Sequence, residues 1–231
     1  MTAENFKLDN PVWHSLEETH RQRAIEFEAM RFYHPDYCPF GGFVNGDKTV
    51  AGIDAYTDLT NSFYIVGSKP TFSDRVTLTK ELVCYQMLLD KKTEVEISDC
   101  IITLQTIQHK ADLYTLVNLV QPGYFKNKTA ELGRYYGIYR DDELIAVTGE
   151  RMKMSAFTEV SAVVTHPNHT GRGYAKRLIA HATNKIFAEN KLPYLHVAEI
   201  NTTAIKLYEK LGFRTRRKIS FWNLRTLEAI K

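Results

Sequence analysis

The residues of this chain best placed to do chemistry lie between Val163 and Leu178, in the run Val-Val-Thr-His-Pro-Asn-His-Thr-Gly-Arg-Gly-Tyr-Ala-Lys-Arg-Leu. An apolar strand ends at His166-Pro167, and a short loop carrying two glycines opens a helix. The first turn of a helix leaves about four N–H groups without partners, and the macrodipole adds roughly half a positive charge there. Phosphate binds at such a turn. Gly171 and Gly173 have no side chain, so a diphosphate can approach the backbone closely, and Arg172, Lys176 and Arg177 add cationic charge. The loop has neither the Gly-Lys-Ser/Thr of a nucleoside-triphosphate loop nor a GxGxxG dinucleotide fingerprint. Taken alone, its glycines are equally compatible with a tight turn that serves only packing.

A second informative stretch follows. Residues 192–198, Leu-Pro-Tyr-Leu-His-Val-Ala, read as a strand. From Asn201 to Phe213 the chain runs Asn-Thr-Thr-Ala-Ile-Lys-Leu-Tyr-Glu-Lys-Leu-Gly-Phe. Asn201 is a favourable N-cap, and Ala204, Leu207, Tyr208 and Leu211 share one helical face. Gly212 supplies the C-terminal stop, and Phe213 returns to extended backbone.

Together these segments resemble the GNAT superfamily of acyl-CoA-dependent N-acyltransferases. The signature R/Q-x-x-G-x-G/A is matched from Thr170 to Ala175, with Thr170 where Arg or Gln is usual, and N-x-x-A-x-x-L-Y-E-K-L-G-F is complete from Asn201 to Phe213. The resemblance extends over roughly residues 100–225, and the C-terminal part looks closest to the glycine N-acyltransferase-like branch. It implies an α/β (α+β) GNAT fold, a mixed central sheet flanked by helices. It also implies transfer of an acyl group, acetyl by default, from acetyl-CoA or another acyl-CoA to a primary amine of a small molecule or amino-acid-like acceptor.

The resemblance also implies roles. Tyr208 would sit near the thioester sulfur as general acid; otherwise it is a core aromatic beside Leu207 and Leu211. Two residues compete as base. Glu159 aligns with the glutamate that serves as base in histone-type members, and His196 stands where some ribosomal-protein acetyltransferases carry a glutamate. A salt-bridged strand carboxylate and a satisfied sheet histidine are the structural alternatives, and water alone serves in some members. For the coenzyme, backbone groups of Val163, Val164 and Thr165 would meet the pantetheine arm. The N–H groups of Gly171, Arg172, Gly173, Tyr174, Ala175 and Lys176 would meet the diphosphate, and Asn201 would cap its helix and reach the arm. Strand alternation predicts Glu159, Ser161, Val163 and Thr165 on one face.

These residues need elements to position them. Asn10 and Pro11 predict a capped helix running to about Arg31. Residues 50–56, 62–66 and 82–89 read as strands. From Cys100 the pattern predicts a strand over 100–104, helices over 109–119 and 122–132, and a hairpin of 134–139 with 144–151 around Asp141-Asp142-Glu143. Residues 157–165 form the strand that enters the glycine turn. The chain is therefore divided at 99/100: an additional α/β N-terminal half, either a degenerate GNAT-like repeat or a cover for the acceptor site, and a GNAT domain over 100–231.

Charge separates the same two parts. Residues 1–100 carry 10 Lys and Arg against 16 Asp and Glu, and residues 101–231 carry 20 against 11. A basic C-terminal part suits a ligand with several phosphates, and an acidic N-terminal part hints at a cationic acceptor. Arg214, Arg216, Arg217 and Lys218 would be split between two faces of a strand, so a solvated edge is expected rather than a nucleic-acid site.

No run of 18 apolar residues is present, and the start lacks the basic-then-apolar pattern of a secretory leader. Cys38, Cys84 and Cys100 are odd in number and without a CxxC pair, as expected of reduced thiols in a cytoplasmic protein. His34, Asp36 and Cys38 have the spacing of metal ligands but no second cluster completes a site, so no metal is expected. The expected partner is a small-molecule amine, with no nucleic acid and no membrane; no pattern encodes an oligomeric state. The rival reading is a non-catalytic acyl-CoA-binding regulatory module of the same fold, which predicts coenzyme binding without product.

Overall fold

The computed structural model describes residues 4–95 and 101–227. Cys100, the expected boundary at 99/100 and the first three residues lie outside the described residues. Five strands precede that boundary: β1 (Ala24–Phe27), β2 (Met30–Tyr33), β3 (Phe40–Phe43), β4 (Ser62–Gly67) and β5 (Val76–Leu88). Two helices lie among them, α1 (Pro11–Glu17) and α2 (Val50–Tyr56). Beyond it come β6 (Ile101–Thr103), α3 (Ile107–Val120), β7 (Tyr135–Arg140), β8 (Glu143–Lys153) and β9 (Phe157–Thr165). The chain continues through α4 (Tyr174–Ala188), β10 (Leu192–Ala198), α5 (Thr202–Lys210) and β11 (Arg214–Thr226).

All eleven strands form one open mixed sheet in the order β1-β2-β3-β4-β11-β5-β10-β9-β8-β7-β6. Apart from β6 this order is a palindrome. Each side has an antiparallel run that ends in a parallel pair, β3 with β4 and β9 with β10. The two longest strands then cross over: β5 lies against β10, and β11 lies against β4. Each half of the chain therefore contributes a strand to the other half's side of the sheet, and no cut at 99/100 separates two independent cores.

Helices cover both faces. Leu178, Ile179 and Ile186 of α4 and Tyr208 of α5 are buried on one face. Val12 and Leu16 of α1 and Leu113, Leu116 and Val117 of α3 are buried on the other. Among the described residues no helix is long and apolar enough to cross a membrane.

The C-terminal elements follow their local signals. Asp141 and Asp142, at φ 50° and 62°, form the two-residue hairpin turn whose mirror-image twist suits paired strands. Asn201 caps α5, its Oδ1 accepting from the Ala204 N–H at 3.1 Å, and Gly212 ends the segment at φ 94°.

Several expectations are corrected. The helix from Pro11 stops at Glu17, because residues 30–33 alternate between faces, Met30 and Phe32 buried in one cluster and Tyr33 in another, and pair as a hairpin with β1. Asn10 does not cap that helix; its Nδ2 donates to Phe43 O at 2.7 Å. Residues 50–56 are a helix, since Gly52, Ile53 and Tyr56 recur at helical spacing on its buried face. Residues 122–132 hold only a short 3-10 turn, Thr129–Glu131, after Pro122 and Gly123 break the backbone. Finally, β11 is central, not an edge. Its cations are engaged in ion pairs: Arg216 and Arg217 share Asp9 at 2.8 and 2.7 Å, and Lys218 meets Glu199 at 2.7 Å.

Candidate active site

The parallel ladder between β9 and β10 is short. It pairs Leu192 with Phe157, Pro193 with Thr158 and Tyr194 with Glu159, and then stops. Beyond that point β10 stays with β5 as far as Ala198, while β9 follows β8 to Thr165. The sheet thus splits open, and the edge of β9 facing β10 is unpaired from Val160 onward. A bulge in β9 accompanies the split. Val147 lies opposite Val164 but Gly149 lies opposite Ser161, so β9 holds one extra residue, with Ala162 in the left-handed region at φ 50°.

The bulge overturns the expected parity. Val163 packs with Val160 against the α4 and α5 cluster, whereas Val164 is buried in the α3 cluster on the opposite face. Glu159 and Ser161 therefore do not share a face with Val163. An inserted residue reverses every side chain beyond it.

A cavity of about 620 Å³ occupies the split. Val160, Val197 and Tyr208 line it from the α4 and α5 face, and Phe40, Cys84 and Phe221 from the α1 face. It therefore passes through the sheet. Val163, Asn201, Glu159 and His196 also line it; Val164, Thr165 and the glycine loop do not. Four wall residues come from the N-terminal half: Phe40, Lys80, Leu82 and Cys84. None is acidic, so the excess negative charge of that half does not line this cavity.

The glycine loop has the predicted form. Gly171 and Gly173 adopt φ 76° and 75°, and Gly173 occupies the N-cap position of α4. Space in front of them is open: a Cβ on Gly171 would meet nothing within 4 Å, and one on Gly173 only Arg177 Nη1 at 3.9 Å. Among the described residues, no amide from 171 to 176 has a protein acceptor; the first to donate is Arg177 N–H, to Gly173 O at 3.2 Å. Arg172 and Lys176 flank the turn without ion pairs among the described residues, and Arg177 lies over the Tyr174 ring at 5.0 Å. Six free donors and a ring of cations fit a diphosphate.

Tyr208 is buried, its ring edge-on to Phe213 at 5.9 Å. Among the described residues its hydroxyl has no partner. Burial pushes the phenol up to about 12, so it is protonated across the working range.

Glu159 and His196 lie at the closed end of the split. Both are buried. Glu159 accepts two bonds from Arg151, Nε at 2.7 Å and Nη2 at 2.8 Å, one from His196 Nδ1 at 2.8 Å and one from the Met152 N–H at 3.4 Å, which fill its four acceptor sites. Burial alone would raise this carboxyl, but the Arg151 charge and its hydrogen bonds outweigh that effect and hold it at about 2. On the other side of the ring, Gln86 Nε2 donates to His196 Nε2 at 3.1 Å and to Leu8 O at 2.7 Å. Arg216 Nη1 donates to Gln86 Oε1 at 3.0 Å, which fixes that amide's orientation. Glu159 has no free lone pair for a substrate proton, and both ring nitrogens of His196 are engaged.

Arg151, Gln86, Arg216 and Lys80 were not legible as site residues. Gln86 and Lys80 reach the site only because β5 is inserted beside β10, a pairing more than a hundred residues long in sequence. Elsewhere, Cys38 is buried in the core and Asp36 pairs with Lys128 at 3.0 Å.

Comparison with known proteins agrees with this geometry. Residues 135–222 match the family model described as FR47-like protein. A GNAT-family protein from Novosphingobium aromaticivorans DSM 12444, assigned there as an acetyltransferase, is 29% identical over 95% of this chain and 98% of its own, with a TM-score of 0.87. A GCN5-related N-acetyltransferase from Kribbella flavida (13% identity, 94% and 95% covered, TM-score 0.62) shares the fold. So does a tandem GNAT protein from the clavulanic acid biosynthesis pathway (16%, 87% and 79%, TM-score 0.55). No curated protein matches the chain. These similarities support the GNAT superfamily, and the shared fold supports acyl transfer in general.

Proposed function

We propose that the protein transfers an acyl group, acetyl in the simplest case, from acyl-CoA to the primary amine of a small molecule. The observation that carries this reading is the coincidence of three unsatisfied features: free amides at residues 171–176 in the turn that follows β9, an unpaired edge of β9 from Val160, and an unbonded phenol at Tyr208 on the cavity wall. Unpaired polar groups are costly in a folded protein unless a ligand or solvent satisfies them.

Bound acyl-CoA supplies an activated thioester. The glycine-turn amides, with Arg172 and Lys176, hold its diphosphate; the free edge of β9 and the Asn201 side chain, whose Nδ2 is unpartnered among the described residues, hold the pantetheine arm. In the transfer, the amine nitrogen forms a bond to the acyl carbon, the carbon–sulfur bond breaks, and the nitrogen sheds one proton while the sulfur gains one.

Tyr208 donates to the departing sulfur. A phenol near 12 and a thiol near 8.5 differ by over three units, so complete transfer from the phenol alone is uphill by about 5 kcal/mol. The hydroxyl therefore stabilises the sulfur as a hydrogen-bond donor and passes its proton only as one from the amine replaces it. Neither Glu159 nor His196 serves as base, since neither offers a free acceptor; water relays the amine proton to the Tyr208 oxygen as that hydroxyl gives its own to sulfur. Glu159, His196, Arg151 and Gln86 instead fix the closed end of the split.

The palindromic strand order supports reading the N-terminal half as a degenerate repeat of the same fold, one that has become a wall of the acceptor cavity. The rival, a non-catalytic acyl-CoA module, predicts binding without thiol release. A thiol-release assay with acetyl-CoA across a panel of amines separates the two: amine-dependent release supports transfer, and tight coenzyme binding with no release from any amine supports the rival.

A further inference from the structure

Resting on the acyl-transfer reading, we infer that the acceptor is an amine with a ring-sized apolar body and a carboxylate, the carboxylate being held by Arg151 Nη1, with Lys80 adding positive charge to the same walls. Size is the first argument. A cavity of about 620 Å³ falls within the range that encloses whole small-molecule ligands, far more room than an acetyl group and a bare amine need.

Wall chemistry is the second. Away from Tyr208 the cavity is bounded by Phe40, Leu82, Tyr124, Phe125 and Phe221. Phe40 meets Phe221 edge-on at 5.4 Å, so these rings form a preset apolar slot. Such a slot accepts the face or edge of another ring.

Charge is the third and the most specific. Among the described residues Glu159 is the sole carboxylate on the walls, and Arg151 already takes it through Nε and Nη2. Among the described residues Arg151 Nη1 has no partner and Lys80 has no ion pair. Arg151 is nonetheless held rigidly, by Glu159 and by its place over the Phe40 ring at 4.7 Å. The uncompensated charge on the walls is therefore positive. A polycationic acceptor is repelled, whereas one carboxylate completes the guanidinium's donor set through a charge-assisted bond. The same cations disfavour the ammonium form of the acceptor, which leaves its nitrogen ready to attack.

The test uses the full chain, acetyl-CoA and four acceptors: phenylalanine, its amide, phenethylamine and glycine. Thiol release should show kcat/KM for phenylalanine at least tenfold above the other three. Lys80→Gln, at an exposed position, should narrow the ratio of phenylalanine to its amide at least threefold, and Arg151→Lys should narrow it further. Equal or better turnover of the amide or of glycine overturns the inference and leaves acyl transfer standing. So does a preference for octanoyl-CoA over acetyl-CoA without any ring preference among acceptors, because the apolar wall would then belong to the acyl chain. Calorimetric binding of N-acetylphenylalanine and its amide to the CoA-loaded protein gives a readout without turnover. Tenfold tighter binding of the carboxylate with no thiol release from any acceptor supports the assigned ligand class and contradicts acyl transfer instead.

Discussion

His196 Nδ1 lies 2.8 Å from Glu159 Oε1, bridging β10 and β9 just past Tyr194 and Glu159, the last residues the two strands pair. Where the backbone ladder ends, a side-chain chain takes over: Arg151, Glu159, His196, Gln86 and Arg216 in sequence. Each residue in it is hydrogen-bonded to the next, so the closed end of the split is stiff while its mouth is free to admit a ligand. On the proposed reading, the two residues that resemblance marks as candidate bases serve geometry instead.

Removing the charge at the centre of this chain should cost folding stability. Glu159→Gln leaves Arg151 buried without a counter-ion, and breaking a buried pair in this way costs about 3–5 kcal/mol. The pH dependence has a definite sign. Glu159 is held at about 2, below its ordinary value of 4.5, so its contribution is fully present above 4.5 and is lost as pH falls toward 2. That contribution is about 3 kcal/mol at 1.36 kcal/mol per unit. Urea unfolding of the native chain should weaken across this window, and the Gln variant should start lower and lose less.

Tyr208→Phe removes the hydroxyl proposed to donate to the leaving sulfur and leaves the ring's packing on Phe213 in place. A hydrogen bond to a developing charge contributes about 1.5–3 kcal/mol, so kcat should fall roughly 10- to 100-fold with the KM for acetyl-CoA little changed. Because the phenol titrates only near 12, no alkaline limb from Tyr208 should appear in the pH–rate profile below about pH 11. Single-turnover rates equal to those of the native protein would make Tyr208 purely structural.

Gly173→Val tests the turn. Its φ of 75° disfavours any β-branched residue by about 1–2 kcal/mol, and the open space before it is where a diphosphate must approach. The variant should fold with a modestly lowered Tm and bind CoA at least tenfold more weakly by calorimetry. Unchanged affinity would remove the turn from the coenzyme site.

Much of the C-terminal half was legible because its signals are local. The strand over Phe157–Thr165 and the strand over Leu192–Ala198 fall where apolar runs and flanking turns place them, and the Asn201 cap and Gly212 stop bound α5. The bulge at Ala162 was not legible, since nothing in Ser161-Ala162-Val163 marks an inserted residue; only the register against β8 shows it. In the N-terminal half, β-branched and aromatic residues misled. Val50 and Ile53 suggested a strand where the burial of Gly52, Ile53 and Tyr56 selects a helix. The site's N-terminal wall was hidden for a topological reason. Lys80, Leu82 and Cys84 reach the cavity because β5 crosses into the other half's side of the sheet, and non-local pairing leaves no local mark.

The central claim is that the amides of residues 171–176 hold the coenzyme's diphosphate at the mouth of the split sheet. Backbone amide chemical shifts recorded while CoA is titrated into the full chain test it most directly. The account predicts the largest shifts at Gly171, Arg172, Gly173 and Tyr174, saturating together with those of Val163 and Asn201. Saturable CoA binding that leaves the glycine-turn amides unmoved, with shifts clustered elsewhere, would contradict it.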